Sequence, residues 1–242
     1  MSTYLRISWL TLRNRILEES RYPFQFITNY VSFFLMGILL ALGSIAIQGG
    51  GTVEANTASF FLAFMAGGAL NLPMDTLAGN KTRLEEFYLK PLPSIPYLLA
   101  IAVGRSIETV PTLVFFVLAL GLIRGSGLGS ALDLALTGFP VFFSMWGLGL
   151  VLAGMRLVFH KIGSLPQILW LILLGTALAA STPTLGSLAP FSPFAGGLLY
   201  LRTGQIDLLA FIASCLFSLL VGVLVFLWGE RKMLKRGLIG QE

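Results

Sequence analysis

Charge is scarce in this sequence. Aspartate, glutamate, lysine and arginine together make up 11% of its 242 residues, where soluble domains carry about 25%. With 56% of the residues hydrophobic, a surface wetted on all sides cannot be covered, and most of the exterior is expected to face lipid. Cysteine and histidine are scarcer still. The single cysteine, Cys215, lies within an apolar run and supports neither a disulfide framework nor a thiolate metal site. The single histidine, His160, sits in the turn R-L-V-F-H-K-I-G. It cannot build a metal site alone and reads as an exposed loop residue. The pattern G-x-x-x-x-G-K-[ST] is missing, and the dipeptide Gly-Lys occurs nowhere, which excludes a phosphate-binding P-loop. Work fuelled by ATP would need the nucleotide on another chain. There is no H-E-x-x-H, no histidine pair and no nucleophile–base pairing, so no catalytic residue and no metal are expected here. No linker, low-complexity segment or convincing internal repeat divides residues 1–242, which read as one domain.

What the chain does have is length in apolar runs. A helix crossing the hydrocarbon core needs about 20 apolar residues, and six stretches qualify, near 24–47, 57–77, 97–123, 132–155, 163–181 and 208–228. The first begins only at Phe24 and is too long for a cleavable signal. The third carries Arg105 and Glu108, so its first turns are expected at the interface or against protein. The segment 183–205 is apolar but broken by Pro183, Pro190, Pro193 and paired glycines. It fits a re-entrant or interfacial helical hairpin buried against protein, where freed backbone groups find partners. The expected fold is an all-α integral membrane domain with six spans.

Basic residues set the orientation. With the N-terminus inside, Arg6, Arg13, Arg15, Arg21, Lys81, Arg83, Lys90, Arg105, Arg156, Lys161, Arg231, Lys232, Lys235 and Arg236 fall on the cytoplasmic side, and only Arg124 and Arg202 outside. Both termini are therefore expected in the cytoplasm, and the chain in the cell inner (plasma) membrane. The net charge of +5 and isoelectric point near 9.6 follow from this bias, not from nucleic-acid binding, because the basic residues sit beside apolar runs.

Two segments outside the spans carry pattern. In residues 1–22, Leu5, Trp9, Leu12 and Ile16 share one helical face, Tyr4, Thr11, Arg15 and Glu18 lie opposite, and Arg6 and Arg13 flank the apolar side. This reads as an amphipathic helix lying in the inner interface, with the arginine stems snorkelling. Pro23 then turns the chain into the membrane. In the inner loop 78–96, A-G-N-K-T-R-L-E-E-F-Y-L-K-P-L-P-S-I-P, Thr82 and Glu85 have capping-box spacing. A short helix would run to about Leu89, stopping before Pro91. Leu84, Phe87 and Tyr88 would share a face, with Arg83, Glu85 and Glu86 around it. Such a helix suits either docking into a groove on a soluble partner or lying on its own bundle or on the membrane surface.

Charges within the spans are costly and often functional. Asp75, Arg105 and Glu108 form one candidate group, for structural pairing or for gating and coupling. Asp133 and Asp207 lie at outer span ends, where helix capping accounts for them. Gly121-x-x-x-Gly125 and Ser218-x-x-x-Gly222 have spacing for close helix packing. Phe191, Phe194 and Tyr200 form either an outer apolar gate or interfacial anchors.

Four features in order resemble the permease subunit of the ABC-2 family of ATP-driven exporters. They are the basic amphipathic segment ending in Arg21-Tyr22-Pro23; T-R-L-E-E-F-Y-L-K-P-L-P (82–93); the broken segment before the last span; and the ending G-E-R-K-M-L-K-R-G-L-I-G (229–240). The second is similar to the family's G-T-L-E-x-L-x-L-x-P-L at Leu84, Glu85, Leu89, Pro91 and Leu92, with Arg83 departing from the usual Gly-Thr start. The resemblance implies an elbow helix at 1–22, a coupling helix at Thr82, Arg83, Leu84, Glu85, Glu86, Phe87 and Tyr88, outer re-entrant helices at 183–205 and a cytoplasmic tail at 229–242. It further implies a second permease copy, an ATP-binding cassette partner holding ATP and magnesium, and export of drugs, lipids, glycolipids or polysaccharides. A mostly apolar chain suits an amphipathic cargo. An ion-gradient-driven or passive carrier, and a membrane scaffold recruiting a soluble protein through 82–90, are the alternatives from other classes.

Overall fold

The computed structural model describes residues 3–22, 24, 27–28, 31, 35, 53–78, 93–106, 128–159 and 164–235. Among the described residues the chain is all-helical. Eight helices are bounded among these residues: α1 (Thr3–Arg21), α2 (Val53–Ala78), α3 (Ser94–Ser106), α4 (Leu128–Phe159), α5 (Leu165–Ala179), α6 (Thr182–Leu188), α7 (Pro193–Thr203) and α8 (Leu208–Lys235). Three of them, α2, α4 and α8, are long and apolar enough to cross a membrane. The 28 residues of α8 extend ~42 Å, more than the ~30 Å hydrocarbon core. The 15 residues of α5 extend only ~22 Å.

Serine and proline punctuate the second half. Ser164, Ser181 and Ser192 stand at the N-caps of α5, α6 and α7, each with a proline in the first turn, where its missing N–H costs nothing. The Ser181 and Ser192 hydroxyls accept from the Thr184 and Ala195 amides at 3.4 and 3.3 Å, satisfying helix N-terminal donors. Helix α7 ends at Gly204, whose φ of +68° permits the left-handed cap, with its N–H donating to the Tyr200 carbonyl at 2.7 Å. The prolines that read as interruptions at 183 and 193 are thus helix starts. Pro73 and Pro140 instead lie inside α2 and α4, and the Pro73 ring fits where α4 presents Gly149.

Helix α4 is the centre of the bundle. It packs most extensively against α8 on one side and α2 on the other. The α4–α8 seam is built of small residues: Ser218 donates to the Ser144 carbonyl at 2.8 Å, Gly147 meets Gly222, and Gly154 meets Gly229. Contact numbers rise together along both helices, so α4 and α8 run parallel. The same holds for α2 and α4, where Gly138 meets Met65 and Gly149 meets Leu70 and Pro73. Helix α8 turns only 28% of its apolar window inward, against 72% for α4, leaving Leu209, Leu216, Phe217, Leu220 and Leu224 exposed. Phe24, Ile27, Val31 and Leu35 are helical and likewise exposed, at spacings that keep them on one helical face.

Two shorter elements close the ends of this bundle. Ser94, at the start of α3, donates to Glu230 near the end of α8. Arg105, at the other end of α3, acts electrostatically on Asp75 near the end of α2. Both contacts place α3 beside the C-terminal ends of α2 and α8. Helix α3 is the described part of the expected third span, 97–123, whose continuation beyond residue 106 lies outside the described residues. Helix α1 packs along α3 through Ser8, which donates to the Ala100 carbonyl at 2.7 Å, and through close approach of Ser8 and Thr11 to Gly104. At the opposite end, α5, which packs against α2, finishes beside α7, whose Arg202 reaches its last carbonyls, and Tyr200 of α7 reaches Asp133 near the start of α4.

Candidate functional site

The expected docking helix, Thr82, Arg83, Leu84, Glu85, Glu86, Phe87 and Tyr88, lies outside the described residues, as do Glu108, His160 and the Gly121–Gly125 pair. The segments flanking the docking loop are described. Residue 78 ends α2 and residue 93 precedes α3, at the end of the bundle where α3 and α1 lie.

At that end the charges converge. Asp75 is exposed near the last turn of α2 and lies within electrostatic reach of both Arg105 on α3 and Arg156 on α4. The sequence groups Asp75 with Arg105 and Glu108, the last of which lies outside the described residues; Arg156 comes within electrostatic reach as well because parallel packing sets the last turns of α2 and α4 side by side. The two guanidinium groups bring positive potential to this carboxylate from α3 and from α4. Trp228 and Lys232 stack on α8 at the same end, with the Lys232 Nζ 4.8 Å from the ring centroid. The α8 helix continues to Lys235, so the first residues of the expected 229–242 tail are helical.

At the opposite end the structure assigns different roles to the three gate candidates. Phe191 is 84% exposed in the turn between α6 and α7, whereas Phe194 is 1% exposed in the core. Tyr200 donates to Asp133 Oδ1 on α4 at 3.0 Å. They do not form one aromatic cluster. Asp133 lies inside α4, which begins at Leu128. It is therefore not the helix cap expected of it but the acceptor holding the hairpin to α4. Asp207 does cap α8, its Oδ1 accepting from the Leu209 and Ala210 amides at 3.1 Å.

Arg202 is a residue that sequence reasoning missed. Its Nη2 donates to the Ala177 carbonyl at 2.5 Å and its Nη1 to the Ala180 carbonyl, so a cation closes the last turn of α5. The one signal available was a lone basic residue in an otherwise apolar hairpin. Between these clamps α7 is buried: Gly197 sits against Val141, Leu62 and Thr137. From the level of Val141 to that of Asp133 is ~12 Å along α4, the depth to which the hairpin dips. Cys215 is buried on the α4-facing side of α8, a packing residue beside Ser144. Among the described residues no three His, Cys, Asp or Glu side chains converge as a metal site would require.

No family model, no curated protein and no solved structure matches this chain.

Proposed function

We propose that this chain is the permease subunit of an ABC-2 type exporter, with six spans, an inner elbow helix formed by α1 and an outer re-entrant hairpin formed by α6 and α7. The observation that carries the reading is directional. Helices α2, α4 and α8 run parallel, the relation that the second, fourth and sixth spans of a six-span chain must have. One crossing, α5, separates α4 from α8, because the α6–α7 hairpin returns to the end from which it enters. A hairpin that crossed fully would have made α8 antiparallel to α4. The order of motifs, from the segment ending Arg21-Tyr22-Pro23 through residues 82–93 to residues 229–240, supplies the family.

In this reading a partner ATPase binds ATP and magnesium, seats residues 82–90 in a groove, and shifts the loop between α2 and α3. Asp75, Arg105 and Arg156 pass that shift to the ends of α2 and α4. The spans of two permease copies then rock to open a path for an amphipathic cargo. The ATPase must bind one permease conformation better than the other for this to work. Both termini lie in the cytoplasm and the chain in the cell membrane.

The test is co-purification of the tagged chain from its native membrane, followed by reconstitution in vesicles with a fluorescent phospholipid or drug-like amphiphile. ATP-dependent movement of the amphiphile is expected, with Leu84→Ala and Glu85→Ala leaving ATP hydrolysis but abolishing movement. Flux that ignores ATP and follows an ion gradient would replace this assignment with a gradient-driven carrier.

A further inference from the structure

We infer that the face of α1 turned away from α3 is a binding surface for anionic phospholipid headgroups, with Arg6 and Arg13 as the phosphate contacts. The face α1 offers to protein holds Tyr4, Ser8 and Thr11: Ser8 bonds to Ala100, and Ser8 and Thr11 press on Gly104. The opposite arc holds the exposed apolar side chains. At 100° per residue it reads Leu5, Ile16 and Trp9 along one edge, Arg13 and Arg6 along the middle, and Leu17 and Leu10 along the other edge. Leu5, Trp9 and Ile16 are each more than half exposed, and Arg6 and Arg13 are exposed between the edges. The two arginines are two helical turns apart, ~10 Å along the axis.

A bilayer is the occupant this arc fits. Helix α1 is followed along the chain by Phe24, Ile27, Val31 and Leu35, whose apolar side chains are likewise exposed. Apolar edges sunk to the acyl boundary place arginine stems along the interface and their heads at phosphate depth. The guanidinium fork matches a phosphodiester bidentately. No described side chain on the arc is acidic. Zwitterionic lipids bring their own ammonium group to compete for the phosphate, whereas anionic lipids do not. Each basic residue near an anionic surface favours binding roughly fivefold. The inference requires only that α1 meet a bilayer and is independent of the exporter assignment, so transport can fail while it holds.

The experiment uses the full chain in vesicles of phosphatidylcholine and phosphatidylglycerol in equal parts, with one lipid or the other carrying brominated acyl chains. Trp9 emission is obtained by difference from Trp9→Phe. Brominated phosphatidylglycerol is expected to occupy the Trp9 site with at least about fivefold preference, falling with added salt. In the double variant Arg6→Gln with Arg13→Gln the preference should vanish while quenching by brominated phosphatidylcholine persists. Equal quenching by both lipids in the unmodified chain would overturn the inference, as would a preference that survives the double variant. Absence of quenching by either lipid would show that protein covers α1 instead. Loss of all quenching in the double variant alone would make the arginines anchors of α1 itself, and the headgroup assignment would fall.

Discussion

Arg202 places its guanidinium against the last carbonyls of α5, where a helix terminus leaves backbone acceptors without intrahelical partners and carries a partial negative charge. Two residues earlier, Tyr200 reaches Asp133 across to α4. Both contacts lie at the rim of an apolar bundle and join α7 to its neighbours. Replacing Arg202 with methionine should cost about 1.5–3 kcal/mol, the range for hydrogen bonds to charged groups. Lysine should restore only part, since one ammonium does not span both carbonyls. Tyr200→Phe should cost about 0.5–1.5 kcal/mol, and much of that should disappear when Asp133 is already leucine, because the two residues share one interaction. Unfolding midpoints in mixed detergent micelles with increasing dodecyl sulfate measure all four. Equal losses for Tyr200→Phe in both backgrounds would remove Asp133 as its partner.

The seam between α4 and α8 determines how the elements sit together. Backbones come this close only where side chains vanish, and lipid offers no hydrophobic drive to force larger residues together. A Cβ at Gly222 or Gly229 would fall on the carbonyl of Gly147 or Gly154, whereas one at Gly175 in α5 would meet nothing within 4 Å. Gly222→Ala and Gly229→Ala should therefore lower stability by about 1–3 kcal/mol through overpacking. Gly175→Ala should be neutral or stabilising by up to about 1 kcal/mol, since alanine favours helix over glycine. The same detergent titration reads both. A seam variant as stable as the Gly175 variant would mean that the two helices are not held at this distance.

At the scale of the whole molecule, parallel α2, α4 and α8, α5 running back, and α3 with α1 at one end define a bundle with two unlike faces. One face carries Asp75, Arg105, Arg156, Glu230 and Lys232; the other carries the α6–α7 hairpin. Ser187 on α6 is exposed and belongs to the hairpin face, whereas Lys235 closes α8 at the charged face. In a background with Cys215→Ser, a membrane-impermeant maleimide should label Ser187→Cys in intact cells and Lys235→Cys only after the cells are opened. Labelling of both positions from one side would contradict the arrangement of α8 as a single crossing between them.

What the sequence by itself determined was the kind of element. Few charges and long apolar runs mark an all-helical chain with helices long and apolar enough to cross a membrane, because each is a property of the local chain and needs no knowledge of neighbours. It also marked α1, the broken hairpin and the cap at Asp207. Only the tertiary structure decided that Asp133 serves Tyr200, that Arg156 joins Asp75 and Arg105, that Arg202 closes α5, and that Phe191 and Phe194 part company. These are relations between residues distant in the chain. They arise from which helix faces which and in what direction, and a periodicity read along one segment holds no record of the facing partner.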